Sequence, residues 1–95
     1  MEFAADAVAL LEESVHKLLA SGWHEPLRRR AHETAVALSH GADAADLKRQ
    51  AALLRSVASL LALPLSDVLP IRHEVREKLL EMLDALRESP RSETA

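Results

Sequence analysis

Apolar residues recur every three or four positions along almost the whole chain, which is typical of amphipathic α-helices. Short segments that contain glycine or proline divide this pattern into four runs. The runs predict helices at residues 2–21, 26–40, 43–63 and 70–88. Strict alternation of apolar and polar residues is never sustained, so we expect no strand. The short links favour antiparallel neighbours, and the predicted fold is all-α, a small four-helix bundle or helical array.

The third predicted helix, residues 43–63, carries the most apolar surface. Its polar residues Lys48, Arg55 and Ser59 share one narrow strip. We therefore expect this helix to be central and to pack against the other three. Its apolar positions are Leu47, Ala51, Leu53, Leu54, Val57, Ala58, Leu60 and Leu61.

Glycine, proline and acidic residues mark the predicted helix ends. Gly22 is placed to cap the first helix in the left-handed conformation, and Gly41 is expected to stop the second. Asp43 is the predicted N-cap of the third helix, with Asp46 at the acidic position of a capping box. Pro64 should end that helix, because the residue before a proline is pushed away from helical backbone angles.

The length of 95 residues predicts one domain, residues 1–88, followed by a flexible polar tail at residues 89–95. A helical core of this size is marginal for an isolated monomer. With one Phe and one Trp, the core must rely on close packing of Leu and Ala. We therefore expect a homodimer or another protein partner to bury further surface.

Net charge and cysteine content narrow the function classes. The formal net charge of −3 argues against a general nucleic-acid binder. The chain has no cysteine, which excludes a disulfide framework and thiolate metal chemistry. No signal-peptide pattern opens it, and no apolar run reaches the length of a membrane span. We expect a cytoplasmic protein that does not contact membranes.

Apolar residues beside the main stripes of the first and third helices are predicted to stay uncovered by the bundle. Leu and Ala surface surrounded by charges is typical of a site for a partner helix or a second copy. We therefore interpret the chain as a non-catalytic interaction or oligomerisation module, such as an adaptor, a small subunit or a chaperone-like partner binder. The residues expected to contact the partner are Val8, Leu10, Trp23, Leu53 and Leu60.

A first alternative is nucleic-acid binding through residues 36–50. This run, with Ala37, a turn at Gly41, Ala42 and then Leu47, resembles the helix-turn-helix spacing. The resemblance implies a DNA-binding regulator. Its basic patch would consist of Arg28, Arg29, Arg30, Lys48 and Arg49.

The same run departs from the motif at four positions. His40 and Gln50 stand where the motif usually buries apolar residues. Asp43 and Asp46 would bring negative charge toward the DNA phosphates. Nucleic acid therefore ranks behind a protein partner.

A second alternative is a metal-binding bundle. Glu13 and His16 form an E-x-x-H pair on one helix face, of the kind that occurs twice in carboxylate-bridged di-iron bundles. Here the pair occurs once, and the further inward-facing carboxylates of such a site are not evident. His73 and Glu77, four residues apart, form another candidate pair on the solvent side of the fourth helix. We expect no metal and no cofactor, with Glu13 and His16 as weak candidates.

Catalytic chemistry has little support in the sequence. The predicted fold, with His32 on its second helix, resembles histidine phosphotransfer domains. Those domains are four-helix bundles that present a histidine on an exposed helix face. That family places a Lys and a Gly shortly after the histidine, whereas Thr34, Ala35 and Val36 stand here. No Gly-rich phosphate loop, G-x-S-x-G or H-E-x-x-H motif is present. We expect that the chain is not an enzyme.

Overall fold

The computed structural model describes the backbone of residues 5–92 and the side chains of residues 7–87. Every regular element in this part of the chain is a helix, so the all-α prediction is confirmed. The start of the first predicted helix, at residues 2–4, lies outside the described residues. The elements are α1 (Ala5–Ala20), α2 (Glu25–Ala44), α3 (Lys48–Leu61), the single turn α4 (Leu65–Val68), a 3₁₀ turn (Leu69–Ile71) and α5 (Arg72–Ser92).

The helices form a bundle in which α2 packs against α1 and α3, and α5 packs against the same two helices. Arg28, in the first turn of α2, donates its Nη1 to the carbonyl oxygen of Leu61 at the end of α3, at 2.7 Å. This contact shows that α2 and α3 run antiparallel. Arg87, near the end of α5, pairs with Glu12 of α1. The chain direction turns by 100° between α3 and the α4–α5 segment, so α5 crosses α3 steeply.

The core follows the predicted apolar stripes. Leu54, Val57 and Leu61 of α3 have no exposed surface, and the predicted polar strip of this helix is exposed. Buried leucine and valine side chains of α1 and α5 complete one cluster. Small side chains on α2 let it approach α3 closely. The buried residues of α2 are Ala31, Ala35, Ser39 and Ala42.

The second helix does not stop at Gly41, which is a correction to the sequence prediction. It continues through this residue for three more positions. The left-handed residue is Asp46, with φ 61°, whose N–H donates to the Asp43 carbonyl oxygen at 3.0 Å. The Leu47 N–H donates to the Ala42 carbonyl oxygen at 2.8 Å. This pair of bonds is a Schellman C-cap, which Asp can complete because it tolerates left-handed angles.

The predicted capping box of the third helix is wrong for the same reason. Asp43 belongs to the last turn of α2, and Asp46 closes that helix. The N-cap of α3 is Leu47, whose side chain makes no capping hydrogen bond. The helix therefore begins at Lys48, five residues later than its sequence predicts.

The cap predicted at Gly22 is confirmed. Gly22 has φ 76°, and its N–H donates to the Leu19 carbonyl oxygen at 3.4 Å. The Trp23 N–H donates to the Leu18 carbonyl oxygen at 3.1 Å. Trp23 also has a positive φ, 73°, which is uncommon for a bulky residue. Two consecutive left-handed residues thus turn the chain sharply between α1 and α2.

The two glycines allow a paired test of these helix ends. Gly41→Ala should stabilise the protein by about 0.5–1 kcal/mol, because alanine suits a helix interior better than glycine. A Cβ at Gly41 would have no atom within 4 Å. Gly22→Ala has equal space but should cost about 1–2 kcal/mol, because φ is left-handed there. Urea unfolding followed by far-UV circular dichroism measures both; a loss of stability in both variants would contradict a helical Gly41.

The last helix is longer than predicted, since α5 continues to Ser92 and the sequence supplies no glycine to cap it near residue 88. The rest of the predicted tail, residues 93–95, lies outside the described part of the chain.

Among the described helices none is both long and apolar enough to cross a membrane on its own. α3 and the α4–α5 segment meet these criteria only jointly, across their 100° bend.

Candidate functional site

A groove of about 560 Å³ lies between the end of α1 and the start of α5 and is the candidate functional site. Its volume falls within the range of about 300–1,000 Å³ that is usual for ligand sites. Arginine and histidine side chains make up half of its lining, and no acidic residue belongs to it. The lining residues are His16, Leu19, Ala20, Gly22, Arg72, His73, Arg76 and Leu80.

Helical periodicity places these side chains together. Arg72, Arg76 and Leu80 are spaced by four residues, so they share one face of α5. His16 and Leu19 occupy adjacent turns of α1 in the same way. The Arg87–Glu12 pair lies farther from the groove along both helices, which makes α1 and α5 antiparallel. The last turn of α1 therefore faces the first turns of α5.

The two arginines of the groove are not neutralised by neighbouring side chains. Arg72 and Arg76 are exposed, and neither forms an ion pair with any described side chain. The arginines Arg28, Arg55 and Arg87 do pair with carboxylates. The groove thus concentrates positive charge on a chain whose formal net charge is −3.

The start of α5 adds to this positive charge. Arg72 stands in its first turn, where the helix dipole is positive and a cation is unfavourable, and Glu74 is the acidic residue of the same turn. The His73 Nε2 lies 3.2 Å from the Glu77 Oε2, but both side chains are mostly exposed. Such an exposed pair contributes little to stability. An anion in the groove would be favoured by the arginines and by the helix dipole together.

A short apolar stretch leads directly into the groove, and we call residues 65–71 the apolar segment. Val68 is fully buried and anchors the segment to the core. Leu65, Leu69 and Ile71 are 42%, 52% and 43% exposed. Ile71 directly precedes Arg72, so the apolar segment and the groove adjoin.

Two of the predicted partner-contacting residues belong to the core. Val8 and Trp23 are each 4% exposed, so they are not accessible to a partner. The left-handed backbone at Trp23 turns its ring inward, and the indole Nε1 donates to the Leu63 carbonyl oxygen at 3.3 Å. Val8 is buried because α1 buries a wider stripe than its main apolar positions, and Trp23 is buried because the α1–α2 turn brings its ring to the segment after α3.

The other three predicted contacts retain different amounts of accessible surface. Leu53 and Leu60 are half-buried against the core. Leu10 is 60% exposed, the largest fraction among the described large apolar residues. It stands in the first half of α1, whereas the groove lies at the end of that helix.

The predicted metal fragment does not assemble into a larger group. Glu13 and His16 are both exposed on α1, and only His16 lines the groove. Within the described residues, no three His, Cys, Asp or Glu side chains are grouped so that they could hold a metal ion. His32 is half-buried on α2, outside the groove.

The basic residues predicted for a nucleic-acid patch are divided between the start of α2 and the start of α3. Arg28 is turned toward α3 and donates from Nε and Nη2 to the Glu25 carboxylate. Arg30 and Lys48 lie on the order of 20 Å apart along the axis, at 1.5 Å per residue. α2 and α3 form an antiparallel helical hairpin, and the turn of the helix-turn-helix resemblance is helical at Gly41. These residues therefore do not form one surface.

The hydrogen bonds from Arg28 lower the pKa of the Glu25 carboxyl below its ordinary value, with charge attraction to Arg28 and Arg29 adding to the effect. The same hydrogen bonding raises the pKa of Arg28. Because the folded-state pKa of Glu25 is depressed, the pair stabilises the fold fully above the unfolded-state pKa. That contribution disappears as pH falls through the folded-state pKa. It is small, because Glu25 is exposed.

The sequence interpretation did not identify the groove or the apolar segment. The R-x-x-x-R-x-x-x-L spacing of Arg72, Arg76 and Leu80 is present in the sequence, but spaced charges of this kind are equally typical of a solvated helix face. Leu69 and Ile71 lie in the link that contains Pro64 and Pro70. The sequence signal for the apolar segment is the presence of apolar residues in a link, outside any helical period.

No family model, curated protein sequence or solved structure matches this chain. Its own residues and their geometry are therefore the basis for any functional conclusion.

Proposed function

We propose that the chain is a non-catalytic protein-interaction module whose partner docks on the apolar segment. The observation that supports this is the exposure of Leu65, Leu69 and Ile71 within seven consecutive residues. Leu10 is the other large apolar side chain exposed in the described part of the chain. Clustered apolar exposure of this kind marks interaction sites, whereas single exposed residues are ordinary.

The packing of the apolar segment supports a preformed docking surface. Val68 has no exposed area, and the Asp67 and Val68 N–H groups both donate to the Pro64 carbonyl oxygen, at 3.0 and 3.1 Å. Leu65 and Leu69, four residues apart, therefore project on the same side of one ordered turn. A partner that covers them gains about 25 cal/mol for each Å² of apolar surface removed from water.

The partner we propose is a different protein that presents apolar residues bordered by carboxylates. Arg72 and Arg76 follow the apolar segment directly, so an acidic border would complement them. A symmetric dimer through this surface would bury the same patch of both copies, with Arg72 and Arg76 of each and with Asp67 as the one carboxylate of the apolar segment. Charge repulsion opposes that arrangement, so a homodimer is not the assembly we propose here. We place the interaction in the cytoplasm, with which a cysteine-free chain is compatible.

Site-specific photo-cross-linking in the cells that produce the protein tests this proposal. A photoreactive amino acid at Leu69 should capture one protein that the same group at Ala37, an exposed position on α2, does not capture. With that protein purified, Leu69→Asp combined with Ile71→Asp should weaken the binary complex by at least about tenfold. Leu10→Asp introduces the same charge at an exposed leucine elsewhere and should change the affinity less than about twofold.

Light scattering across a dilution series separates the remaining outcomes. If the protein is a dimer and the Leu69→Asp, Ile71→Asp variant is a monomer, the partner is a second copy of the chain. That result would overturn the proposed assembly. Equal capture from both cross-linking positions would contradict docking on the apolar segment. So would a binary complex that is insensitive to the double substitution while circular dichroism shows the variant to be folded.

A further inference from the structure

We propose that the groove between α1 and α5 binds a small organic anion, a carboxylate or phosphate group attached to a short apolar body. This inference goes beyond the proposed function and does not rest on it. The groove shares Arg72 and Arg76 with the border of the apolar segment, but its α1 side is separate from that segment, and a ligand of this kind needs no second protein.

The charge of the groove is the first argument. Two arginines and two histidines line it, with no acidic residue among the lining residues. Arg72 and Arg76 form no ion pair with the described side chains, on a chain with three more acidic than basic residues. An anionic group would relieve the repulsion between the two guanidinium groups and would be held by charge-assisted hydrogen bonds.

The spacing of the donors is the second argument. Arg72 and Arg76 are one turn apart on α5, about 6 Å along the axis at 1.5 Å per residue. Their planar guanidinium groups suit the oxygen pairs of a carboxylate or a phosphate. His16 lines the groove from α1, so donors reach it from both helices. The anionic group is therefore placed between the two helices.

The apolar part of the lining indicates the rest of the ligand. Leu19 and Ala20 of α1 and Leu80 of α5 line the same groove as the cations. Leu80 lies one turn beyond Arg76 on the same face of α5. An apolar body attached to the anionic group would therefore extend from Arg76 toward Leu80. A volume of about 560 Å³ lies near the middle of the usual range for ligand sites. A chain of about eight carbons is a suitable probe of this size.

Titration of the ¹⁵N-labelled full chain by NMR tests the proposal. The probes are octanoate, octyl phosphate, uncharged octanol and inorganic phosphate, each below the concentration at which micelles form. Both octyl anions should shift the Gly22, His73 and Arg76 amides saturably, with a Kd on the order of 1 mM. Octanol and inorganic phosphate should each bind at least about tenfold more weakly, because each lacks one half of the ligand. The tighter octyl anion identifies the preferred headgroup.

Variants show whether the arginines hold the anion. Arg72→Gln combined with Arg76→Gln should weaken octanoate and octyl phosphate binding by at least about tenfold. Lys78→Gln removes one positive charge from an exposed position on α5 outside the groove and should leave binding within about twofold. The proposal is overturned by octanol binding as tightly as octanoate, by equal binding to the double variant, or by the absence of saturable shifts up to about 10 mM.

Discussion

Leu54→Asp should abolish the helical fold at room temperature. Leu54 has no exposed surface, and α3 packs against both α2 and α5. An aspartate there would either remain charged without a partner or bind a proton, and both choices cost free energy on top of the lost packing. The total of about 5 kcal/mol or more is comparable with the whole stability of a chain this long. Far-UV circular dichroism would show loss of the helical signal.

Leu10→Asp is the matched control for this substitution. It introduces the same side chain into another helix, at a position that is 60% exposed, and should change the free energy of unfolding by less than about 0.5 kcal/mol. Leu61→Asp, at the fully buried end of α3, should behave like Leu54→Asp. Retention of a cooperative thermal transition by both core variants would contradict the position of α3 in the bundle.

Trp23→Ala should reduce the free energy of unfolding by about 3–5 kcal/mol. The ring is almost completely buried, and it joins the α1–α2 turn to the segment after α3 through the Leu63 carbonyl oxygen. Alanine removes the buried area and this hydrogen bond, while the unfavourable positive φ remains. Urea unfolding followed by circular dichroism measures the loss, since the substitution removes the chain's only tryptophan.

Trp23→Phe separates the two contributions of this residue. Phenylalanine keeps much of the buried apolar area but cannot donate to the Leu63 carbonyl oxygen. The expected loss is closer to about 1–2 kcal/mol, made up of one hydrogen bond and a smaller ring. A loss for Trp23→Ala that is no larger than the loss for Trp23→Phe would show that the ring is not part of the core.

The sequence determines the helices better than it determines where they end. The stripes of α3 and α5 could be predicted because burying one face requires a helical period. The boundary between α2 and α3 could not be predicted in this way. Glycine inside a helix costs about 1 kcal/mol relative to alanine, so Gly41 can remain helical, and Asp46 can take the left-handed angles instead. Local signals of this size are outweighed by the packing of α2 on α3.

The candidate site was harder to predict for a different physical reason. Arg72 and Arg76 could be placed on one face from their spacing alone. Their position opposite His16, more than fifty residues away in the chain, depends on the packing of α5 on α1. Burial likewise separated Val8 from Leu10, although both are apolar residues on α1. The periodicity of a helix shows which residues share a face, but it does not show which other helix covers that face.

The end of α3 is held by two side chains from elsewhere in the chain. A helix normally frays at its C-terminal end, because its last carbonyl groups have no partners within the helix. Here Arg28 binds the carbonyl oxygen of Leu61, the last residue of the helix, and Trp23 binds that of Leu63, two residues past it. Opening this end therefore requires the start of α2 and the α1–α2 turn to separate from it at the same time. The three segments should behave as one cooperative opening unit, with slow amide hydrogen exchange in the last turn of α3.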